Sequence, residues 1–153
     1  MTSMSCVKEF LGSAGELGLA CTALDAGPSR LFISAVMDKF KPERVAGHLA
    51  IGHHSIAIPL EANEFTYSSH LDAEAAYVFF EQRGEDRDRV LMLHDGPSLA
   101  RVFANAYGME YFVSNQRKSY LLAVNWYVIE GAGASVDWMK RLMQPPEKPA
   151  SQQ

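Results

Sequence analysis

The stretch YLLAVNWYVI, residues 120–129, is apolar at every position except Asn125. Read as one long strand, it sets Tyr120, Leu122, Val124, Trp126 and Val128 on one face. Leu121, Ala123, Tyr127 and Ile129 then fall on the other. A strand apolar on both faces needs cover on both, so this one is expected at the centre of a sheet. The run Gly131-Ala-Gly133 is expected to end it.

Neighbours follow outward from this strand. YFV at 111–113 precedes it across a polar turn, 115–119. YVFF at 77–80 and VLML at 90–93 are two further strands, joined by the charged loop 81–89 with Gly84 inside. DGPS at 95–98 stops the sheet and opens a helix carried by Leu99, Val102, Phe103 and Ala106 and closed by Gly108. Ile56, Ile58 and Leu60 alternate with Ala57 and Pro59 as a short strand, and Pro59 puts it at a sheet edge. EFTY at 64–67 is a candidate partner strand for it. Ser135 caps a final short helix over 136–143.

The front of the chain reads as helical. Val7, Phe10, Leu11, Ala14, Leu17, Cys21 and Leu24 step by three or four along one stripe, with a break expected near Gly15. Pro28 suits the first turn of a second helix carrying Phe32, Ile33, Val36, Met37 and Phe40. Pro42 opens a short third helix through Val45 and Leu49, ended by Gly52. The expected fold is therefore α+β. A helical N-terminal third packs on a mostly antiparallel sheet of five to six strands, with one inserted helix and a short C-terminal helix. Residues 1–143 form a single globular domain, and QPPEKPASQQ (144–153) is a disordered, proline-rich tail.

Composition agrees with a packed domain. The chain has 153 residues, 48% hydrophobic and 21% charged, which is enough apolar mass for one core and too much for a disordered effector. No window of about 18 uninterrupted apolar residues suggests a membrane span. Two cysteines, Cys6 and Cys21, are too few for a disulfide scaffold or a four-cysteine zinc site. MTSMSCVKEF lacks the cationic and apolar regions of a signal peptide, so a cytoplasmic protein is expected.

No motif names an activity. His53 and His54 point to opposite sides if extended, and His48 and His53 are five apart, the wrong step for one helical face. Metal binding is therefore not expected, and neither is a cofactor. His94, Asp95 and Ser98 crowd one turn, whereas triad partners converge from distant parts of a fold. Gly131-Ala-Gly-Ala-Ser135 lacks the third glycine of a dinucleotide fingerprint and the lysine of a P-loop.

Charge is more informative in its layout than in its sum of −4. Residues 41–100 carry five basic against ten acidic side chains, a net of −5, while residues 101–153 carry six against four, a net of +2. An acidic middle either steers basic partners or serves as a solubility device, and it gives nucleic acid nothing to bind. Phe65, Tyr67, Tyr77, Tyr107, Tyr111, Trp126, Tyr127 and Trp138 fall in the sheet or beside it. Most belong in the core, but a few exposed beside the acids suit a protein-binding surface. The candidates for that surface are Glu64, Tyr67, Glu81, Glu85, Asp86, Asp88 and Tyr127.

The cadence of 76–133 (AYVFFE, VLMLHDGPSLARVF, GMEYFVS, SYLLAVNWYVIEGAG) resembles small bacterial immunity proteins. That resemblance implies a cytosolic α+β domain without chemistry of its own that neutralises a cognate protein toxin, one with a basic active site. The alternative is a small-ligand binder or enzyme with a cleft built from His53, His54, Glu64, His70 and His94. A homo-oligomer assembled through the long strand or an edge strand is a third option.

Overall fold

In a computed structural model, which describes residues 5–45 and 47–143, the alternating segments pair into one seven-stranded sheet. Its strands are β1 (Cys21–Ala23), β4 (Ser55–Pro59), β5 (Ala76–Phe79), β6 (Leu91–Leu93), β7 (Tyr111–Ser114), β8 (Tyr120–Val124) and β9 (Val128–Gly133). The order across the sheet is β1-β6-β5-β7-β8-β9-β4, and every pairing is antiparallel. A separate two-stranded hairpin joins β2 (Arg44–Val45) to β3 (His48–Leu49). The helices are α1 (Cys6–Glu16), α2 (Ala26–Phe40), α3 (Leu60–Asn63), α4 (Leu99–Ala104) and α5 (Val136–Met143). No described helix is long and apolar enough to cross a membrane.

Strand alternation splits the core in two. Ala76, Val78, Tyr111, Val113, Leu122, Val124 and Ile129 meet Val7 and Phe10 of α1, Leu99 and Val102 of α4, and Trp138 and Met139 of α5. Tyr77, Phe79, Phe112, Leu121, Ala123 and Ala132 face the other way, against Phe32, Ile33 and Val36 of α2 and against Leu49 and Ile51. Both faces of β5, β7 and β8 are buried throughout, as apolar residues at every position require. Each fully buried side chain of the size of Phe10 or Leu122 contributes about 1.5–3 kcal/mol. The α+β class, the edge position of the 55–59 strand, the inserted helix and the 136–143 helix all match the expectation.

Four expected elements differ, each for a local reason. The long central strand is a hairpin. Asn125 accepts the N–H groups of Tyr127 and Val128 through its side-chain oxygen, and its own N–H donates to Val128, so the chain reverses between β8 and β9. Gly131 then lies inside β9, and the strand ends at Gly133, within the run expected to close it. The first helical stripe breaks near Gly15 as expected, α1 ending at Glu16, but it does not resume beyond the break, because Gly18 takes a left-handed φ of +69°. Cys21, expected on that helix, sits in β1 opposite Leu93.

The expected helix after Pro42 is instead the β2–β3 hairpin. Lys41 is left-handed at φ +49° and Gly47 turns the hairpin at φ +82°, so no helical run fits between them. The expected strand at 64–67 is a turn leading from α3 into a 3₁₀ turn, Tyr67–His70. The sheet thus has seven strands where five to six were expected. Residues 144–153, expected to be a tail, lie outside the described residues.

Candidate functional site

Strand register gathers several chain segments at one end of the sheet. Phe79 sits opposite Phe112, Tyr111 opposite Val124, Val124 opposite Ile129 and Val128 opposite Pro59. The segments leaving these positions, 60–66, 80–86, 105–110 and 125–127, therefore share one rim. Among the described residues, four of the six large hydrophobic side chains that are exposed lie on it: Phe65, Tyr107, Trp126 and Tyr127. Their gathering makes this rim an exposed aromatic patch.

The rim is held in shape. The Trp126 indole lies so close over Gly108 that a Cβ there would come within 2.6 Å of Cζ3. The Tyr107 N–H donates to Glu9 Oε1 of α1 at 3.0 Å, tying the 105–110 segment down. Tyr127 meets the His48 imidazole edge-on, with ring centres 5.2 Å apart. His48 is in turn fixed by Glu110, whose other carboxylate oxygen accepts the Leu49 N–H at 2.9 Å.

Beside the aromatics two clefts open around the β2–β3 hairpin. One, of about 410 Å³, has a floor that includes Met37, Leu49, Phe80 and Phe112. The other, of about 380 Å³, is lined by Cys6, His48, Asp86, Glu110 and Trp126. Arg44, Glu81 and Arg83 line both, and Glu81 pairs with both arginines. Burial, with Asp86 adding to it, pushes the Cys6 thiol up to about 11, so at neutral pH Cys6 is a thiol and a poor nucleophile.

The seven residues expected on a partner surface divide sharply. Tyr127 is on the rim, and Glu64 lines a notch there with Tyr107 and Trp126. Tyr67 is fully buried, its hydroxyl hydrogen-bonded to that of Tyr111, so it belongs to the core and presents nothing to a partner. The loop acids largely serve their own chain. Glu81 is shared between Arg44 and Arg83, and Glu85 pairs loosely with Lys8 at 3.5 Å. Asp88, left-handed at φ +57°, donates its N–H to Gln82.

Asp86 caps α1 from 80 residues away, accepting the N–H groups of Cys6 at 3.2 Å and Val7 at 3.0 Å. A carboxylate at a helix N-terminus satisfies orphan donors and opposes the helix dipole. Asp86→Ala is expected to cost about 1–2 kcal/mol in urea unfolding, the range for a lost N-cap. Asp86→Asn should recover part of it, since its amide oxygen still accepts.

The histidine cleft does not assemble. His53 pairs with Glu43, His94 bonds Thr22 at 2.8 Å, and His70 stacks on Trp138 with ring centres 5.2 Å apart. His54 is exposed at a left-handed φ of +48°, and Glu64 is on the aromatic rim. Among the described residues no three His, Cys, Asp or Glu side chains come together as metal ligands. Ser98 bonds Asp95 at 2.6 Å within its own turn, while the His94 ring reaches β1 instead.

The sequence reading named Phe65, Tyr107 and Trp126 among the aromatics without selecting them for the surface and weighed His48 only as a metal ligand, and it missed Glu110, Arg44 and Arg83 in the clefts. Trp126 carried a usable signal, since it directly follows the one polar residue in an apolar run. No protein-family model matches this chain, and neither the curated proteins nor the solved structures contain a match.

Proposed function

We propose that this chain is a non-catalytic protein-binding module, a bacterial immunity protein that neutralises a cognate toxin by occluding a basic active site. The observation that carries the reading is the rim of exposed Phe65, Tyr107, Trp126 and Tyr127, in which the Trp126 ring packs over Gly108 and the Tyr127 ring against His48. Aromatic rings held rigid before contact lose little entropy on binding, which is how a few residues come to dominate an interface. The carboxylates add steering more than contact energy, because most are already paired within the chain.

The test has two arms. The full chain, tagged, should capture one protein from its native lysate, and its co-expression should rescue cells from the toxin encoded beside its gene. Replacing both Trp126 and Tyr127 by alanine should weaken binding by roughly 100-fold or more, as expected for paired hot-spot residues. Absence of both capture and rescue overturns the reading.

A second reading rests on the clefts around the β2–β3 hairpin. Their volumes of about 410 and 380 Å³ lie in the range that encloses small ligands, and the His48–Glu110 pair sits in the polar one. A small molecule released in equimolar amount when the purified chain is denatured, with no protein captured, would favour it.

A further inference from the structure

The notch on the aromatic rim is lined by one carboxylate, and among the described residues it has no ion-pair partner. This is Glu64, just past α3, which lines the notch with Leu60, Phe103, Tyr107, Asn125 and Trp126. Every other carboxylate named on this end has a use: Glu81 has two arginines, Asp86 caps α1, Glu110 holds His48 and Glu9 holds Tyr107. The notch measures about 30 Å³, an order of magnitude below a cofactor site but enough for the tip of one side chain.

A carboxylate among aromatic rings recognises one chemistry above others. The ring faces attract a cation, and the carboxylate neutralises it while accepting its hydrogen bonds. A guanidinium suits the place better than an ammonium, because its flat, weakly hydrated surface stacks on indole while its edge N–H groups reach the carboxylate. Building on the partner-binding reading above, we infer that this notch receives an arginine side chain of the partner, stacked on Trp126 and bonded to Glu64. Glu64 and Trp126 then form one recognition element, and the acidic middle of the chain guides a basic partner toward it.

The probe is N-acetyl-arginine amide, with N-acetyl-citrulline amide as its uncharged counterpart, titrated into the full chain. The indole N–H signal of Trp126 is followed by NMR, and that of Trp138, which is buried against the sheet, serves as the control for an intact fold. The Trp126 signal should move with the arginine amide and not with the citrulline amide. Glu64→Gln should weaken the response about tenfold or more while the Trp138 signal stays in place, consistent with loss of a charge-assisted bond. An unmoved Trp126 signal, equal movement with citrulline, or an unchanged response in Glu64→Gln overturns the inference. If a captured partner is lost from Trp126→Ala but kept by Glu64→Gln, the binding surface stands and the arginine site falls. Loss of partner capture from both variants, with the probe response lost as well, supports it.

Discussion

Raising the pH should unfold this protein cooperatively, with three tyrosines ionising in the same step. Tyr67 and Tyr111 are wholly buried and share a hydroxyl–hydroxyl hydrogen bond, and Tyr120 is buried with its hydroxyl on the Ser114 carbonyl. Burial pushes all three phenols well above the ordinary value of 10.0, and the charge of Glu64 pushes the first two further. In the unfolded chain they lose protons from about pH 10, while in the fold they keep them. The folded state thus binds more protons than the unfolded one above that pH, and stability falls as pH rises.

The thiols act earlier in the same direction. Burial raises Cys6 and Cys21 from 9.0 to about 11, so their contribution fades between those values. Each buried tyrosine removes up to about 1.4 kcal/mol per pH unit, or roughly 4 kcal/mol per unit for the three. Against a domain stability of about 5–15 kcal/mol, that places unfolding near pH 12. Far-UV circular dichroism and tyrosinate absorbance, followed together against pH, check this. Replacing both Tyr67 and Tyr111 by Phe should shift the midpoint to higher pH. Tyrosinate from these three appearing gradually, with the dichroism still native, would contradict it.

Those three tyrosines also show where the sequence was readable. Tyr111 and Tyr120 belong to strands that are apolar at nearly every position, and both strands start where expected, although Tyr120's ends at Val124. Tyr67 was assigned to a strand and to a surface, and it occupies neither. Four residues cannot separate a strand from a turn that drops one ring into the core. Asn125 is the instructive intermediate. It stood out as the single polar residue in 120–129, and its side-chain bonds to two N–H groups are what turn the chain. Its polarity was visible, but its use as a turn depended on β9 pairing back onto β8. The site was less legible than the fold for the same reason. Trp126 is exposed only because that turn exists, and Asp86 is occupied only because α1 begins 80 residues earlier in the chain and beside it in space. Charge counts register neither fact.

Gly133→Ala should be among the most damaging single-methyl additions to this chain. Gly133 adopts φ +70°, which for an alanine costs about 1–2 kcal/mol by itself. A Cβ at that position would stand 2.4 Å from the Ser119 carbonyl oxygen and 3.1 Å from Tyr120 Cα. Neither atom can yield easily. The Ser119 oxygen already accepts the Ala134 N–H at 2.8 Å, and Tyr120 is the strand partner of Gly133 itself. Relief therefore requires β8 and β9 to part at their last rung, next to the turn that seats α5 and its buried Trp138 and Met139. A total loss of about 3–5 kcal/mol is expected, at the upper end for single substitutions. Gly18→Ala supplies the comparison. Its φ of +69° is nearly the same, yet nothing lies within 4 Å of its added methyl, so only the backbone cost of about 1–2 kcal/mol remains. Urea unfolding of the two variants separates the effects, because their difference isolates the close approach of β9 to the 119–120 backbone. Equal losses at the two positions would mean that β9 can shift without cost, and that its last rung does not hold α5 in place.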